Sequence, residues 1–331
     1  MRAVVTGAAG FIGSHLCAHL LSRGDDVTGV DAITDFYDPA RKRRNLAPLV
    51  DRPGFAFLRG DLLDLALPPL LADVDVVYHL AGQPGVRGSW GQEFAVYLER
   101  NVLATQRVLE AARETGLRRL VFASSSSVYG DAEAYPTPER LCPRPVSPYG
   151  VTKLAAEQLC ETYRTVFGVP TVSLRLFSVY GPRQRPDMAF ARLVAAACSG
   201  RPFPLYGDGE QSRDFTYVGD VATAMRAAAL SPWTGVANLG GGGEVSMRQV
   251  ITLLDQLAAP VQVARSPSRA GDARRTAADI SLARDAFGYR PTTDLRTGLT
   301  AMLRDELASY RYRREDQAGL SGRTALPGST R

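Results

Sequence analysis

An α/β protein built on a doubly wound parallel sheet is the fold class this sequence predicts, and three observations carry the prediction. Short β-branched runs alternate with longer amphipathic stretches through the first half, and those runs are almost continuously apolar, as buried parallel strands are. A glycine-rich turn also joins the first run to the first amphipathic stretch. Strands are expected at 3–6, 26–30, 55–59, 74–79, 120–124 and 171–176, with helices at 12–23, 96–115 and 149–167. Beyond Ser178 the rhythm breaks. Pro182, Pro186, Pro202 and Pro204 punctuate short elements, and Gly240 to Gly243 mark a sharp turn. The expected organisation is a sheet domain over 1–177 with a returning segment near 215–238, then a smaller C-terminal substrate-binding lobe, mainly 178–312. A last helix is expected near 295–310, and the Gly/Ser/Pro-containing stretch 315–331 reads as a disordered tail.

The 331 residues, 45% hydrophobic and 22% charged, suit one large domain with an appendage or two domains sharing a cleft. No apolar run reaches the roughly 18 residues a membrane span needs. The chain opens directly on a strand-like run with no signal-peptide pattern, so the cytoplasm is the default expectation. Cys17, Cys142, Cys160 and Cys198 are scattered, and with three histidines they read as free thiols, neither a disulfide framework nor a metal site. The net charge of +5 is a small excess of 39 basic over 34 acidic residues. With dispersed arginines and no basic-aromatic stripe, it fits a cleft for an anionic small molecule better than nucleic acid.

Gly7-Ala8-Ala9-Gly10-Phe11-Ile12-Gly13 follows the first strand and opens the first helix. Glycines there allow a tight turn and close approach of a pyrophosphate, which the N–H groups at the helix start would hold. Asp31, after the second strand, can accept hydrogen bonds from a ribose diol and repels a 2′-phosphate, so a Rossmann-type site for NAD, not NADP, is expected. Tyr149 and Lys153 stand four residues apart, on one face of a predicted helix. An ammonium beside a phenol favours phenolate, so Lys153 is expected to lower the Tyr149 pKa and make it a usable base.

The Gly-x-x-Gly-x-x-Gly spacing, Tyr149-x-x-x-Lys153, Asp61-Leu62, His79-Leu80-Ala81-Gly82 and Asn101 together resemble the extended short-chain dehydrogenase/reductases that modify nucleotide sugars. The resemblance runs from Arg2 to about Tyr310. It implies that Asp61 and Leu62 contact adenine, and that Leu80, Ala81, Gly82, Asn101 and Ser124 line NAD. Lys153 would also bind the nicotinamide ribose. The serine run 124–127, followed by Val128-Tyr129-Gly130, would supply the hydroxyl of Ser125, with Ser126 its neighbour, to hydrogen-bond the reacting sugar oxygen. A homodimer through the helices at 96–115 and 149–167 is implied as well.

Within this family, 4,6-dehydratases typically carry Asp-Glu where this chain has Ser126-Ser127, and uronate decarboxylases a glutamate at Ser127. Without those carboxylates, oxidation and re-reduction at sugar C4 remain, which is 4-epimerase chemistry. Arg213, Arg269 and Asp272 match family positions that clamp the diphosphate and nucleoside ribose of a UDP-sugar. Ser178, the stretch Arg185-Pro186-Asp187-Met188 and Arg87 resemble the UDP-glucuronate 4-epimerases, with Arg185 and Arg87 as candidates for the sugar carboxylate. The alternatives are a UDP-glucose 4-epimerase, a pentose-forming decarboxylase, or a non-catalytic NAD-binding regulator on the same fold. The last would require loss of Tyr149, Lys153 or Ser125, and all three are present.

Overall fold

The structure, a computed structural model, describes residues 1–258, 260–267 and 274–322. Its strands are β1 (Arg2–Thr6), β2 (Asp26–Asp31), β3 (Phe55–Arg59), β4 (Val76–His79), β5 (Arg119–Ser125), β6 (Thr171–Leu176), β7 (Ser178–Tyr180), β8 (Phe203–Tyr206), β9 (Ser212–Tyr217), β10 (Gly235–Leu239), β11 (Glu244–Ser246) and β12 (Val263–Ser266). Seven of them form one parallel sheet in the order β10-β6-β5-β4-β1-β2-β3. The order reverses between β1 and β4. Crevices outside the strand carboxyl ends at such a reversal are where α/β proteins bind ligands.

The helices are α1 (Phe11–Ser22), α2 (Pro39–Val50), α3 (Leu67–Leu71), α4 (Phe94–Tyr97), α5 (Ala104–Thr115), α6 (Pro148–Phe167), α7 (Ala189–Ser199), α8 (Val218–Leu230), α9 (Met247–Leu257), α10 (Ser281–Phe287) and α11 (Leu295–Gly322). On one sheet face Leu16 and Leu20 of α1 share a core with Val221 and Met225 of α8. On the other, Val108 and Leu109 of α5 meet Cys160 and Tyr163 of α6. Both faces are thus covered, which is why the strands between them read as continuous apolar runs. The smaller lobe has its own core of Phe190, Leu193, Phe203, Val250, Leu254 and Leu299. In it β9 pairs with β7 and β11, β8 pairs with β12, and the Phe190 and Phe215 rings stack 4.3 Å apart.

Three elements differ from expectation. The fourth strand starts at Val76, because the Val74 N–H closes a turn onto Leu71. The helix expected over 96–115 is interrupted by a π-helical stretch, Leu98–Leu103, between α4 and α5. The last helix continues past 310 to Gly322, taking in residues 315–322 of the expected tail; Glu315, Gln317, Ala318 and Leu320 there are good helix formers. The remainder, 323–331, lies outside the described residues. No helix among the described residues is long and apolar enough to cross a membrane.

A buried ion pair ties the layers together. Glu157 of α6 is fully buried and receives a two-pronged contact from Arg175 of β6, with Nη2–Oε1 at 2.6 Å and Nε–Oε2 at 3.0 Å. Ser124 of β5 donates to the same carboxylate at 2.6 Å. Arg175 also donates to the Tyr129 hydroxyl, which donates in turn to Asn238 of β10. Arg175→Met, which leaves a buried carboxylate unpaired, is expected to lower unfolding free energy by about 3–5 kcal/mol. The double variant with Glu157→Leu should lose clearly less. Urea titration of both variants checks this, and a double variant as unstable as the single would contradict it.

Candidate active site

A cavity of about 1290 Å³ opens at the carboxyl ends of the sheet strands, under the smaller lobe. Gly7, Gly10, Phe11, Ile12 and Gly13 form its floor. A Cβ at Gly13 would lie 2.1 Å from the Gly7 carbonyl oxygen, so only glycine lets α1 start this close to the turn. Gly10 caps α1 without a side-chain hydrogen bond, and the first turn carries no acidic residue. Its N–H groups and positive dipole end therefore face the cavity unopposed, which fits a dinucleotide pyrophosphate.

Asp31 ends β2 as a buried carboxylate already engaged within the protein. It accepts from the N–H groups of Ala9 (3.1 Å) and Ile33 (2.8 Å) and from Lys42 Nζ (3.2 Å). That leaves about one of its four lone-pair directions for a ribose hydroxyl. Lys42, 8% exposed, escaped sequence reasoning because Arg41-Lys42-Arg43-Arg44 reads as a solvated charge run; only its packing turns it inward. Asp61, Leu62, Leu80, Ala81, Gly82 and Asn101 line the same cavity. Asn101 sits in the π-helical stretch, where such turns often serve a site. Its amide is used for bracing: it accepts from the Gln83 N–H at 2.7 Å and donates to the Gln83 carbonyl and Thr152.

Tyr149 and Lys153 sit in the first turns of α6, which Ser147 caps by accepting from the Gly150 N–H at 3.1 Å. A Cβ on Gly150 would come within 2.6 Å of the Ser127 carbonyl, so the helix start rests directly on the serine turn. Ser125 and Ser126 thereby share the cavity with Tyr149 and Lys153. Ser125 accepts from the Ser127 N–H, whereas the hydroxyl of Ser124 is committed to Glu157. The Tyr149 ring stands edge-to-face with Tyr97, centroids 6.3 Å apart, and Tyr97 is fixed by donating to the Pro84 and Gly85 carbonyls.

Burial pushes the Tyr149 phenol above its ordinary pKa, while the Ser125 hydroxyl and the charge of Arg185 act to lower it. Lys153, on the same helix face, stands 4.4 Å over the Phe122 ring, with its own pKa lowered to about 8 by burial.

Of the residues expected to contact substrate, Ser178, Arg87, Arg185 and Arg213 line the cavity. Arg213 donates to the carbonyls of Ser212 and Arg274, which fixes its guanidinium. Arg87 lies over the Tyr206 ring, 5.2 Å from its centroid. Arg185 is gripped by Asp187 through two hydrogen bonds, at 3.0 and 2.9 Å. Arg269 and Asp272 lie outside the described residues.

The buried ammonium of Lys153 has a stability consequence. Its folded pKa is below the ordinary lysine value of 10.5, so the unfolded chain binds this proton more tightly. The resulting penalty is fully present below pH 8 and fades as pH rises toward 10.5. Lys153→Met is therefore expected to be more stable than wild type by about 3 kcal/mol at pH 7, the gap closing by about pH 10.5. Urea unfolding of cofactor-free protein at several pH values reads this; a pH-independent gap would contradict it.

Comparison with known proteins agrees with this geometry. A model of the NAD dependent epimerase/dehydratase family matches residues 3–240. The chain is 45% identical over 307 residues to the uncharacterized UDP-glucose epimerase YtcB of Bacillus subtilis, covering 91% of this chain and 96% of the relative. It is 37% identical over 332 residues to UDP-glucuronate 4-epimerase 3 of Arabidopsis thaliana, covering 93% and 76%. The crystal structure of UDP-glucuronic acid 4-epimerase from Bacillus cereus, in complex with UDP-glucuronic acid and NAD, matches with a TM-score of 0.90 at 42% identity, covering 94% of this chain and 100% of that one. With the glycine turn, the serine strand and the Tyr149 helix all inside the matched span, the chain belongs to the NAD dependent epimerase/dehydratase family.

Proposed function

We propose that this protein is an NAD-dependent UDP-sugar 4-epimerase that interconverts UDP-glucuronate and UDP-galacturonate. The observation that carries the reading is one cavity joining the Gly7–Gly13 turn, Ser125, Ser126, Tyr149 and Lys153, with serines at 126 and 127 where relatives with further chemistry carry carboxylates. The sheet domain holds NAD through the α1 N-terminus and Asp31, with Lys42 beside it, and the smaller lobe holds the UDP-sugar, with Arg213 on the diphosphate. NAD supplies the acceptor for the C4 hydride and gives it back.

Tyr149 takes the proton of the C4 hydroxyl, and Ser125 and Ser126 hydrogen-bond the same oxygen as it becomes a ketone. Burial favours the neutral phenol, and the Ser125 hydroxyl and the Arg185 charge act in the opposite direction. Lys153 binds ribose hydroxyls of the cofactor. With re-reduction on the other face of the 4-keto sugar, Tyr149 would give the proton back to the C4 oxygen, leaving the stereocentre inverted and the protein unchanged.

A UDP-glucose 4-epimerase is the second reading, favoured by the relationship to the Bacillus subtilis protein and by the internal partner that Arg185 already has. NMR of products after incubation with NAD and either UDP-glucuronate or UDP-glucose decides between them. We expect UDP-galacturonate from the first, with Tyr149→Phe reducing turnover by roughly 10²–10⁴; conversion of UDP-glucose alone would overturn the uronate reading.

We further propose a cytoplasmic homodimer. Leu98, Leu103 and Val151 are exposed along the helices expected to pair, and the described cysteines are free thiols.

A 4-keto uronate is a β-keto acid and loses carbon dioxide when its carboxylate aligns with the ketone. Ser178 starts β7 and lines the cavity, and its hydroxyl would hold that carboxylate out of alignment through a hydrogen bond. Ser178→Ala is expected to release UDP-pentose alongside the epimer, detectable by mass spectrometry; unchanged pentose levels would remove this role.

A further inference from the structure

We propose that Asp187 is an internal counter-ion for Arg185 that sets how tightly the site holds an anionic sugar. The inference rests on the uronate reading above and adds a specificity-determining residue to it. Arg185 and Asp187 lie on the loop between β7 and α7, and both line the cavity that contains Tyr149 and the serine turn. The Met188 N–H bonds back to the Arg185 carbonyl at 3.1 Å, so the two side chains leave one tight turn together.

Their contact is a two-pronged one. Arg185 Nε reaches Asp187 Oδ1 at 3.0 Å and Nη2 reaches Oδ2 at 2.9 Å. This is the geometry in which a guanidinium would grip a substrate carboxylate. The Arg185 side chain is 19% exposed and that of Asp187 44% exposed, so the cation is the more buried partner. Tyr37 and Tyr149 line the same cavity, so the pair stands among the aromatic residues of the site as well as within its own loop.

A sugar carboxylate that approaches Arg185 meets a cation whose charge is already matched and whose Nε–Nη2 edge is occupied. It must displace Asp187 or share the guanidinium with it at close range, and two carboxylates on one cation repel. A neutral sugar has no such conflict. Asp187 therefore weakens uronate binding selectively, keeping substrate and product exchangeable, and it offers Arg185 a partner when the sugar leaves.

Isothermal titration of the NAD-loaded protein with UDP-glucuronate and with UDP-glucose tests this in wild type, Asp187→Asn and Asp187→Glu. We expect Asp187→Asn to bind UDP-glucuronate roughly three- to tenfold more tightly, with UDP-glucose unchanged within about twofold. Asp187→Glu, which restores the charge, should return the wild-type ratio. Equal shifts for both sugars would mean that Asp187 only shapes the loop, and weaker uronate binding would mean that it positions Arg185; either result, or no shift, overturns the proposal. Asp187 is exposed, so the variants are expected to fold, and a Asp187→Ser variant provides an independent uncharged replacement. Wild-type product formation reports the uronate reading separately: turnover of UDP-glucuronate with no variant effect sinks only the role of Asp187, whereas no wild-type binding of UDP-glucuronate sinks both.

Discussion

The carboxylate of Glu157 is fully buried, and an ionised group in that position survives only if every lone pair finds a donor. Arg175 and Ser124 supply them, one from β6 and one from the end of β5. Through Tyr129 and Asn238 the same network reaches β10, the last strand of the sheet. Glu157 lies one turn beyond Lys153 on α6, so the network also fixes the helix that carries Tyr149. Serine turn and tyrosine helix are thereby held to each other beneath the cavity, and the positions of Ser125 and Tyr149 follow from an ion pair neither of them touches.

Charges inside the cavity follow a related pattern. Asp31 is met by Lys42, and Arg185 by Asp187, so cation and anion are paired before any ligand arrives. Such pairing lowers the cost of placing charge in a half-buried cleft. It also means that a ligand enters by exchange of partners. Lys153 is placed differently: it stands over the Phe122 ring, with Cys160 and Glu157 only partly offsetting the desolvation that lowers its proton affinity.

Much of the fold was legible in the residues. Alternating apolar runs and amphipathic stretches located the first six strands, because a strand buried on both faces leaves a local signature. The Gly7–Gly13 turn was legible for the same reason, since backbone geometry there admits little but glycine. Less visible was anything set by contacts between distant segments. The π-helical turn around Asn101 depends on Gln83 and Thr152, and neither is near it in sequence. The inward turn of Lys42 depends on Asp31 and Thr34, and the run of basic residues around it gave the opposite impression. The strand expected from 74 was shortened at its start by a turn onto α3, a detail of the preceding helix end and not of strand propensity.

The sequence alone determined that Tyr149 and Lys153 share a helix face, that a serine run 124–127 follows an apolar strand, and that no carboxylate stands at positions 126 and 127. These are properties of neighbouring residues, and periodicity conveys them. Tertiary structure decided where the charges point. Burial raises the Tyr149 phenol, Ser125 and Arg185 act to lower it, and Asp187 already holds Arg185. Electrostatic influence depends on distance and solvent exposure after folding, and neither is written in the order of residues along the chain.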